Sequence, residues 1–468
     1  MKGFIKKLCG FSIGPIVGAL ISFITIPITT YFVSPEEYGK VTMFTLVQSV
    51  FTVVAYLGLD QSYTRFYNEE KDKKKLLFNC IVIPMIFSIF LSILLVIEPK
   101  VISKWLFESP DYTLPIYILA LTIPLLILER FLLLSIRMEE MAVRYSLYNI
   151  SLKLIVFFVT LYFVLNVRRD FLAIVYSSII GQIIGDILLI ITNIKRISFN
   201  FKHIDKSLLK ELLKFGLPLI LVSVIGWALN SMDKVFLRVM SNFEQLGYYN
   251  IAMKISNMLL IIQSSFTAFW VPTAYRWYKE NKDFENYNLV SKALTVGMSI
   301  IFLIILLLKD LIPLFISQAY NQSIYIIPFL LFYPIMYTIS ETTTLGITFS
   351  KKSYLNLIVS VLSIITNLFL NFILVPKYAA VGAAIATGIS YIVFFWARTI
   401  ISRKIWYKFK VDRYVYITIV LLIAAIYNTF NINRAWATLI NLLSIVLVIY
   451  IERDVLYYIY ERIFKKIK

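Results

Sequence analysis

Apolar residues dominate this chain in long runs separated by short polar gaps. Fourteen runs can be marked, the first at residues 8–33 and the last at 435–451. Each is close to the ~20 residues an α-helix needs to cross a bilayer. The first run follows Lys2, Lys6 and Lys7. It is much longer than the apolar stretch of a signal peptide, about 7–15 residues, and reads as a retained helix.

The gaps carry a second pattern. With the N-terminus placed inside, inner segments hold 32 of the 46 Lys and Arg residues, outer segments 8, and the runs themselves the other 6. Cytoplasmic loops concentrate Lys and Arg in this way. The bias therefore predicts an even number of spans with both termini cytoplasmic. The longest outer gap, 98–113, and the longest inner gap, 195–214, read as loops too short to fold alone. Function is then expected between helices.

The chain also repeats itself. Arg65-Phe66-Tyr67-Asn68-Glu69 closes the second run, and Arg276-Trp277-Tyr278-Lys279-Glu280 closes the eighth, 211 residues later. Glu37-Tyr38-Gly39 and Gln245-Leu246-Gly247 are 208 apart, as are Leu106-Phe107 and Leu314-Phe315, and Arg144 and Lys352. Six spans per copy is even, so both copies enter from the same side and form parallel repeats. The expected fold is an all-α integral membrane protein of about fourteen transmembrane helices. Residues 1–200 and 201–403 form the two six-helix bundles, and 404–468 hold two further helices and a cytoplasmic tail.

Composition agrees and excludes other classes. The chain is 59% hydrophobic and 16% charged, where soluble domains carry about 25% charged residues. The net charge of +19 would suggest nucleic acid in a soluble protein, but here it lies in the inner gaps, so no nucleic-acid partner is expected. Cys9 and Cys80 show no CxxC spacing, and His203 is the only histidine. Neither a disulfide, a metal site nor a histidine-based catalytic triad is expected.

Ser34-Pro35-Glu36-Glu37-Tyr38-Gly39, Leu57-Gly58-Leu59-Asp60 and Arg65-Phe66-Tyr67 carry a family resemblance. So do Leu213-Lys214-Phe215-Gly216-Leu217-Pro218, Asp233-Lys234 and Gly247-Tyr248-Tyr249. With two six-helix bundles and two added helices, the chain resembles the multidrug, oligosaccharidyl-lipid and polysaccharide exporter superfamily, and within it the polysaccharide-flippase branch. The resemblance implies a V-shaped transporter alternating between inward- and outward-open states. It implies a cargo of undecaprenyl-diphosphate-linked oligosaccharide in a bacterial plasma membrane, with membrane lipids and other polysaccharide assembly proteins as partners. It implies no cofactor beyond a coupling ion, H⁺ or Na⁺.

Charges within the runs are the candidate chemistry, because each costs about 2.5–3.5 kcal/mol at mid-bilayer on insertion scales. Asp233, Lys234 and Arg238 share the seventh run and Lys254 lies in the eighth. Asp233 and Lys254 lie at similar depth, and the group's one negative and three positive charges suit a lipid diphosphate. Arg238 is near enough to the outer surface to snorkel, and Asp233 with Lys254 can equally be a structural ion pair. Lys153 lines a cleft or snorkels inward. Arg65 and Arg276 are either positive-inside anchors or a symmetric pair at the cytoplasmic mouth. Arg130 and Lys292 are most simply edge anchors. Asp186 and Glu341 can bind the coupling ion, since a carboxylate away from water needs a proton or cation partner, or can hydrogen-bond a neighbouring helix. Trp227, Asn230, Gln263 and Trp270 suit sugar contacts. The first run lacks charge beyond its start and offers only Thr25, Thr29 and Thr30, which counts against an ion site there.

Three functions follow. A lipid-linked oligosaccharide flippase fits best, with a peptidoglycan lipid precursor as the nearest rival cargo. A drug exporter would favour a net acidic cleft, whereas basic residues exceed acidic ones within the runs. An enzyme is not expected: no Asp-x-Asp or Gly-rich phosphate loop occurs.

Overall fold

The computed structural model describes residues 2–196, 204–350, 352, 354–430 and 433–453. The Cys9 side chain, His203 and the tail beyond Arg453 lie outside the described residues. The molecule has two units, Met1–Lys234 and Val235–Lys468. Among the described residues all regular elements are helical.

The first unit holds α1 (Lys2–Phe32), α2 (Pro35–Ala55), α3 (Leu59–Phe66), α4 (Lys73–Ile97), α5 (Pro99–Phe107), α6 (Thr113–Met138), α7 (Ala142–Tyr162) and α8 (Phe171–Asn193). The division between units falls inside α9 (Lys206–Met240). The second unit continues with α10 (Phe243–Asn257), α11 (Leu260–Lys279), α12 (Phe284–Leu308), α13 (Ser323–Leu330), α14 (Phe332–Thr343) and α15 (Leu345–Phe349). It ends with α16 (Tyr354–Ile405), α17 (Asp412–Thr429) and α18 (Arg434–Ile451).

Twelve segments among the described residues are long and apolar enough to cross a membrane. One of them, α16, runs 52 residues and is broken at Ala379, whose φ of 47° is not helical. At 1.5 Å per residue each limb alone approaches the thickness of a bilayer, so α16 supplies two spans. With α17, 18 residues long, the tally reaches the fourteen runs read from the sequence.

Within unit 1, α1 packs along α7, α4 along α6, and α8 against both α6 and α7. In unit 2, α14 lies along α16, α13 against α10 and α16, and the added helices α17 and α18 against α12. Large apolar side chains point away from both bundles: Ile86 and Leu121 of unit 1 and Phe369 and Phe372 of unit 2 are more than 60% exposed. Lipid is as apolar as they are, so packing rather than hydrophobic burial holds such helices together.

Short polar segments set the helix starts. Ser34, with Pro35 at the first helical position, accepts from the Glu37 N–H, and Asp72 accepts from the Lys74 and Lys75 N–H groups. Each satisfies amide groups that the helix cannot. The duplication survives in these details. α4 and α12 are both 25 residues long and begin 211 residues apart. Asn242 caps α10 through the Gln245 N–H, as Ser34 does α2 through Glu37. In unit 1 the Glu37 carboxylate accepts from Phe171 N, opening α8, at 2.9 Å. In unit 2 the Gln245 amide oxygen accepts from Ala380 N, opening the second limb of α16, at 3.3 Å. The recurring Glu37/Gln245 position thus starts two helices at once.

Three departures from the sequence reading have physical causes. The second run does not continue smoothly to Arg65: Leu57 and Gly58 adopt positive φ and split α2 from α3. The gap 98–113 is not wholly loop, because Pro99 starts α5 and Phe107 anchors it against Tyr112 and Phe171. The tenth run breaks into α13, α14 and α15. Pro334 lacks an N–H and crowds the carbonyl four residues before it, which accounts for the break after Leu330.

Candidate functional site

The family motifs of unit 1 meet one another. The break at Gly58 abuts Gly216 of α9: a Cβ on Gly58 would stand 2.1 Å from the Gly216 carbonyl oxygen. Ser62 donates to the Leu212 carbonyl at 2.8 Å, and Phe66 meets Phe215 edge to face at 5.9 Å. The Leu57–Asp60, Arg65–Tyr67 and Leu213–Pro218 motifs therefore form one crossing where only glycine fits.

Beside this crossing, α6 carries two charges side by side. Arg130 reaches α3, where its Nη2 donates to buried Asp60 at 2.8 Å, with the guanidinium 5.5 Å from the Tyr56 ring centroid. Arg130 is thus an internal ion-pair partner as well as a partly exposed side chain. Glu129 turns to α8 instead. Gln182 Nε2 donates both to Glu129 Oε2 and to Asp186 Oδ1, each at 2.9 Å. Gln182 and Asp186 are four residues apart, so α8 presents them on one face. Tyr148 of α7 donates to Asp186 Oδ1 at 3.0 Å. Asp186 is 1% exposed, and its Oδ2 is buried with no hydrogen-bond partner. Lys153 of α7 lies within electrostatic reach of Glu129 and against Gly18 of α1. The site places two carboxyl groups around one amide donor, with an acceptor left over. Such a buried group is costly unless something positive joins it.

Unit 2 places a different pair at its counterpart helices. Glu341 of α14 accepts from Arg398 Nη1 at 2.9 Å, and the same nitrogen donates to Ser340 Oγ at 2.8 Å. The Arg398 guanidinium lies 4.9 Å from the Phe394 ring and 5.5 Å from that of Tyr337. Trp270 donates to the Glu341 carbonyl at 3.2 Å. Arg398, one of the basic residues counted in the inner gaps, is helical and mostly buried, because Glu341 and two aromatic faces accommodate its charge.

Arg65 pairs with Glu69 one turn along, both half-exposed. Arg276 is exposed near the end of α11. Asp233, 1% exposed, and half-buried Lys234 lie at the end of unit 1. Arg238 stacks over Phe243 at 4.5 Å and Lys254 is exposed on α10, both in unit 2. Glu129, Gln182, Tyr148 and Asp60 were not singled out as site residues from sequence. The Gln182–Asp186 spacing was a usable signal.

Residues 5–278 match a protein family described as polysaccharide biosynthesis protein. The chain is 19% identical over 225 residues to a probable low-salt glycan biosynthesis flippase, Agl15, of Haloferax volcanii, and the match covers 47% of each protein. It is 24% identical over 277 residues to the capsular polysaccharide biosynthesis protein CapF of Staphylococcus aureus, covering 58% of this chain and 67% of that one. The alignment thus spans about half the length of the first relative. Among solved structures, the lipid II flippase MurJ in an inward-closed conformation matches with TM-score 0.68 at 20% identity, over 96% of this chain and 98% of that chain. An outward-facing multidrug resistance transporter of the MATE family matches with TM-score 0.57 at 16% identity, over 86% and 95%. At these identities the structural likeness establishes a shared fold.

Proposed function

Because the chain belongs to the polysaccharide biosynthesis protein family, we propose that this multi-pass membrane protein is a flippase. It carries undecaprenyl-diphosphate-linked oligosaccharide from the inner to the outer leaflet of a bacterial plasma membrane, by alternating access. The family match, over more than half of the chain, is the observation that carries the reading. The charges within the spans select the cargo. Within the spans Arg130, Lys153, Lys234, Arg238, Lys254 and Lys292 outnumber Glu129, Asp186, Asp233 and Glu341, and a diphosphate crossing a low-dielectric slab needs such partners. Arg65 and Arg276 serve the mouth through which the head group enters.

The free energy for exchange comes from an ion, H⁺ or Na⁺, taken up at Asp186 with Glu129. The unpartnered Asp186 oxygen supports this assignment. Glu341, already paired with Arg398, has the structural role. A ligand shifts the transport equilibrium only by binding the two states differently, so cargo and ion must each prefer one state.

The test is a lipid extract from cells lacking the protein, with mass analysis and sidedness labelling. A complete glycan-lipid accumulating on the cytoplasmic leaflet, cleared by restoring the protein, is expected. Intact surface polysaccharide with no accumulation would overturn the reading in favour of a small-molecule exporter. A second cargo, the peptidoglycan lipid precursor, is favoured by the fold likeness to MurJ, and the mass of the accumulating lipid separates the two. Lys234→Ala and Lys254→Ala are expected to lower glycan export while the protein stays folded.

A further inference from the structure

A cavity of about 530 Å³ opens at one end of unit 2, away from the Glu341–Arg398 pair. Its walls are helix termini: the first turn of α12 (Phe284 and Glu285), the start of α17 (Asp412 and Arg413) and the end of α18 (Ile451 and Glu452). The linker from α16 to α17 closes it with residues 407–410. Two apolar helices begin here and a third ends, as membrane helices do near lipid head groups. This end also carries the basic segment Arg403–Arg413, so by the positive-inside rule it faces the cytoplasmic leaflet.

The lining combines charge and flat aromatic surface. Lys292, Lys408, Lys410 and Arg413 face Glu285, Asp412 and Glu452, leaving a positive balance. Arg413 is oriented by Tyr414, to whose hydroxyl its Nη2 donates at 2.5 Å, and by Glu452 at 3.7 Å. The second distance is too long for a hydrogen bond. Nε and Nη1 of Arg413 are buried with no hydrogen-bond partner, so two of its donor nitrogens remain unused. Phe284 stacks on Tyr407 at 4.0 Å and on Phe409 at 5.8 Å, forming a rigid apolar wall beside the cations. A basic cavity between helix ends at head-group depth suits an anionic lipid head.

We propose that this cavity binds the phosphate of a lipid head group, with Arg413, Lys292 and Lys410 on the phosphate oxygens and the aromatic stack beneath the adjoining carbon skeleton. The phosphate comes either from an ordinary anionic phospholipid of the leaflet or from a polyprenyl diphosphate. The site does not depend on the transport reading, because binding is measured without transport.

The experiment is native mass spectrometry of the full chain in detergent. It is titrated with phosphatidylglycerol, with farnesyl diphosphate, and with phosphatidylcholine as the zwitterionic control. The wild type is expected to bind at least one of the two anions at least about tenfold more tightly than a Lys292→Gln/Lys410→Gln double variant. Asp412→Asn, which removes a lining negative charge at an exposed position, is expected to tighten binding. Loss confined to phosphatidylglycerol assigns the site to bulk lipid, loss confined to farnesyl diphosphate assigns it to a polyprenyl carrier, and loss of both shows that phosphate alone is recognised. Equal affinity for phosphatidylcholine would overturn the proposal. So would anion binding unchanged in the folded double variant or, where that variant does not fold, unchanged by Asp412→Asn.

Discussion

In unit 1, α6 and α8 meet through Glu129 and Asp186, two acids joined by one glutamine amide. In unit 2, α14 and the second limb of α16 occupy the same places in chain order and meet through Glu341 and Arg398, an acid and a base. Both pairs lie in apolar surroundings, and both descend from the same duplicated plan. They differ in what they need. The Glu341–Arg398 pair joins opposite charges beside the stacked rings of Tyr337 and Phe394, with Arg398 Nε left without a hydrogen-bond partner. The Glu129–Asp186 site holds two carboxyl groups on one amide donor and an unpartnered Asp186 oxygen. The second unit therefore pairs its buried acid with a base, while the first pairs its acid with another acid.

This contrast can be broken most directly at Arg398. Arg398→Ala leaves Glu341 buried without its partner, and removing one member of a buried pair typically costs about 3–5 kcal/mol. Thermal unfolding in detergent should show a large drop, and the double change Arg398→Met/Glu341→Gln should recover much of it. Equal stability of the single and double variants would show that the pair contributes little.

The opposite is expected in unit 1. Asp186→Asn retains the Tyr148 and Gln182 neighbours and removes a like charge, so stability should hold or rise. Glycan export and its dependence on the ion gradient should fall by about tenfold, equivalent to about 1.4 kcal/mol. Export unaffected in Asp186→Asn, and also in the Glu129→Gln/Asp186→Asn double variant, would reduce the acid pair to packing.

A smaller effect sharpens the comparison at the shared cap position. Glu37→Ala and Gln245→Ala each remove the acceptor of a helix-opening amide, worth about 1 kcal/mol. Glu37 should cost more, since its charged acceptor makes the shorter bond and it also pairs with Lys40 at 2.6 Å.

The smallest expected effect is at the solvent-exposed tie between α4 and the start of α9. Asp205 accepts from Lys75 at 2.8 Å and from the Leu208 and Ser207 amides. Lys75 foremost, and then these amides, hold the Asp205 carboxyl below the usual carboxylate range. A depressed carboxyl supports its tie above the unfolded pKa, about 3.9, and the support is lost as pH falls through the folded value. Amide protection factors at residues 205–208, taken against the intrinsic rate at each pH, should be high near neutrality and fall below about pH 4. Lys75→Ala should move that fall to higher pH, and an unmoved profile would exclude Lys75 as the cause.

Much of the fold was legible because lipid imposes simple rules. Apolar run length, the Lys and Arg bias of the gaps and the repeated Glu37/Gln245 position all reflect constraints local to one helix. The breaks at Gly58 and after Leu330 were less legible, because they answer to a crossing helix or to a carbonyl one turn away. Of the polar sites, Asp186 and Glu341 stood out as charges in apolar runs, but their partners did not. Tyr148 and Gln182 look unremarkable in sequence, and Arg398 sat among the basic residues of the inner gaps until Glu341 gave its charge a place.

The sequence by itself determined a many-spanning helical membrane protein with a duplicated plan, since helices in lipid must satisfy their own backbones and hide or pair their charges. The tertiary structure alone decided which charges are paired. Whether a buried carboxylate meets an arginine or another carboxylate depends on side-chain distances between helices far apart in the chain, and no periodicity along one run encodes that.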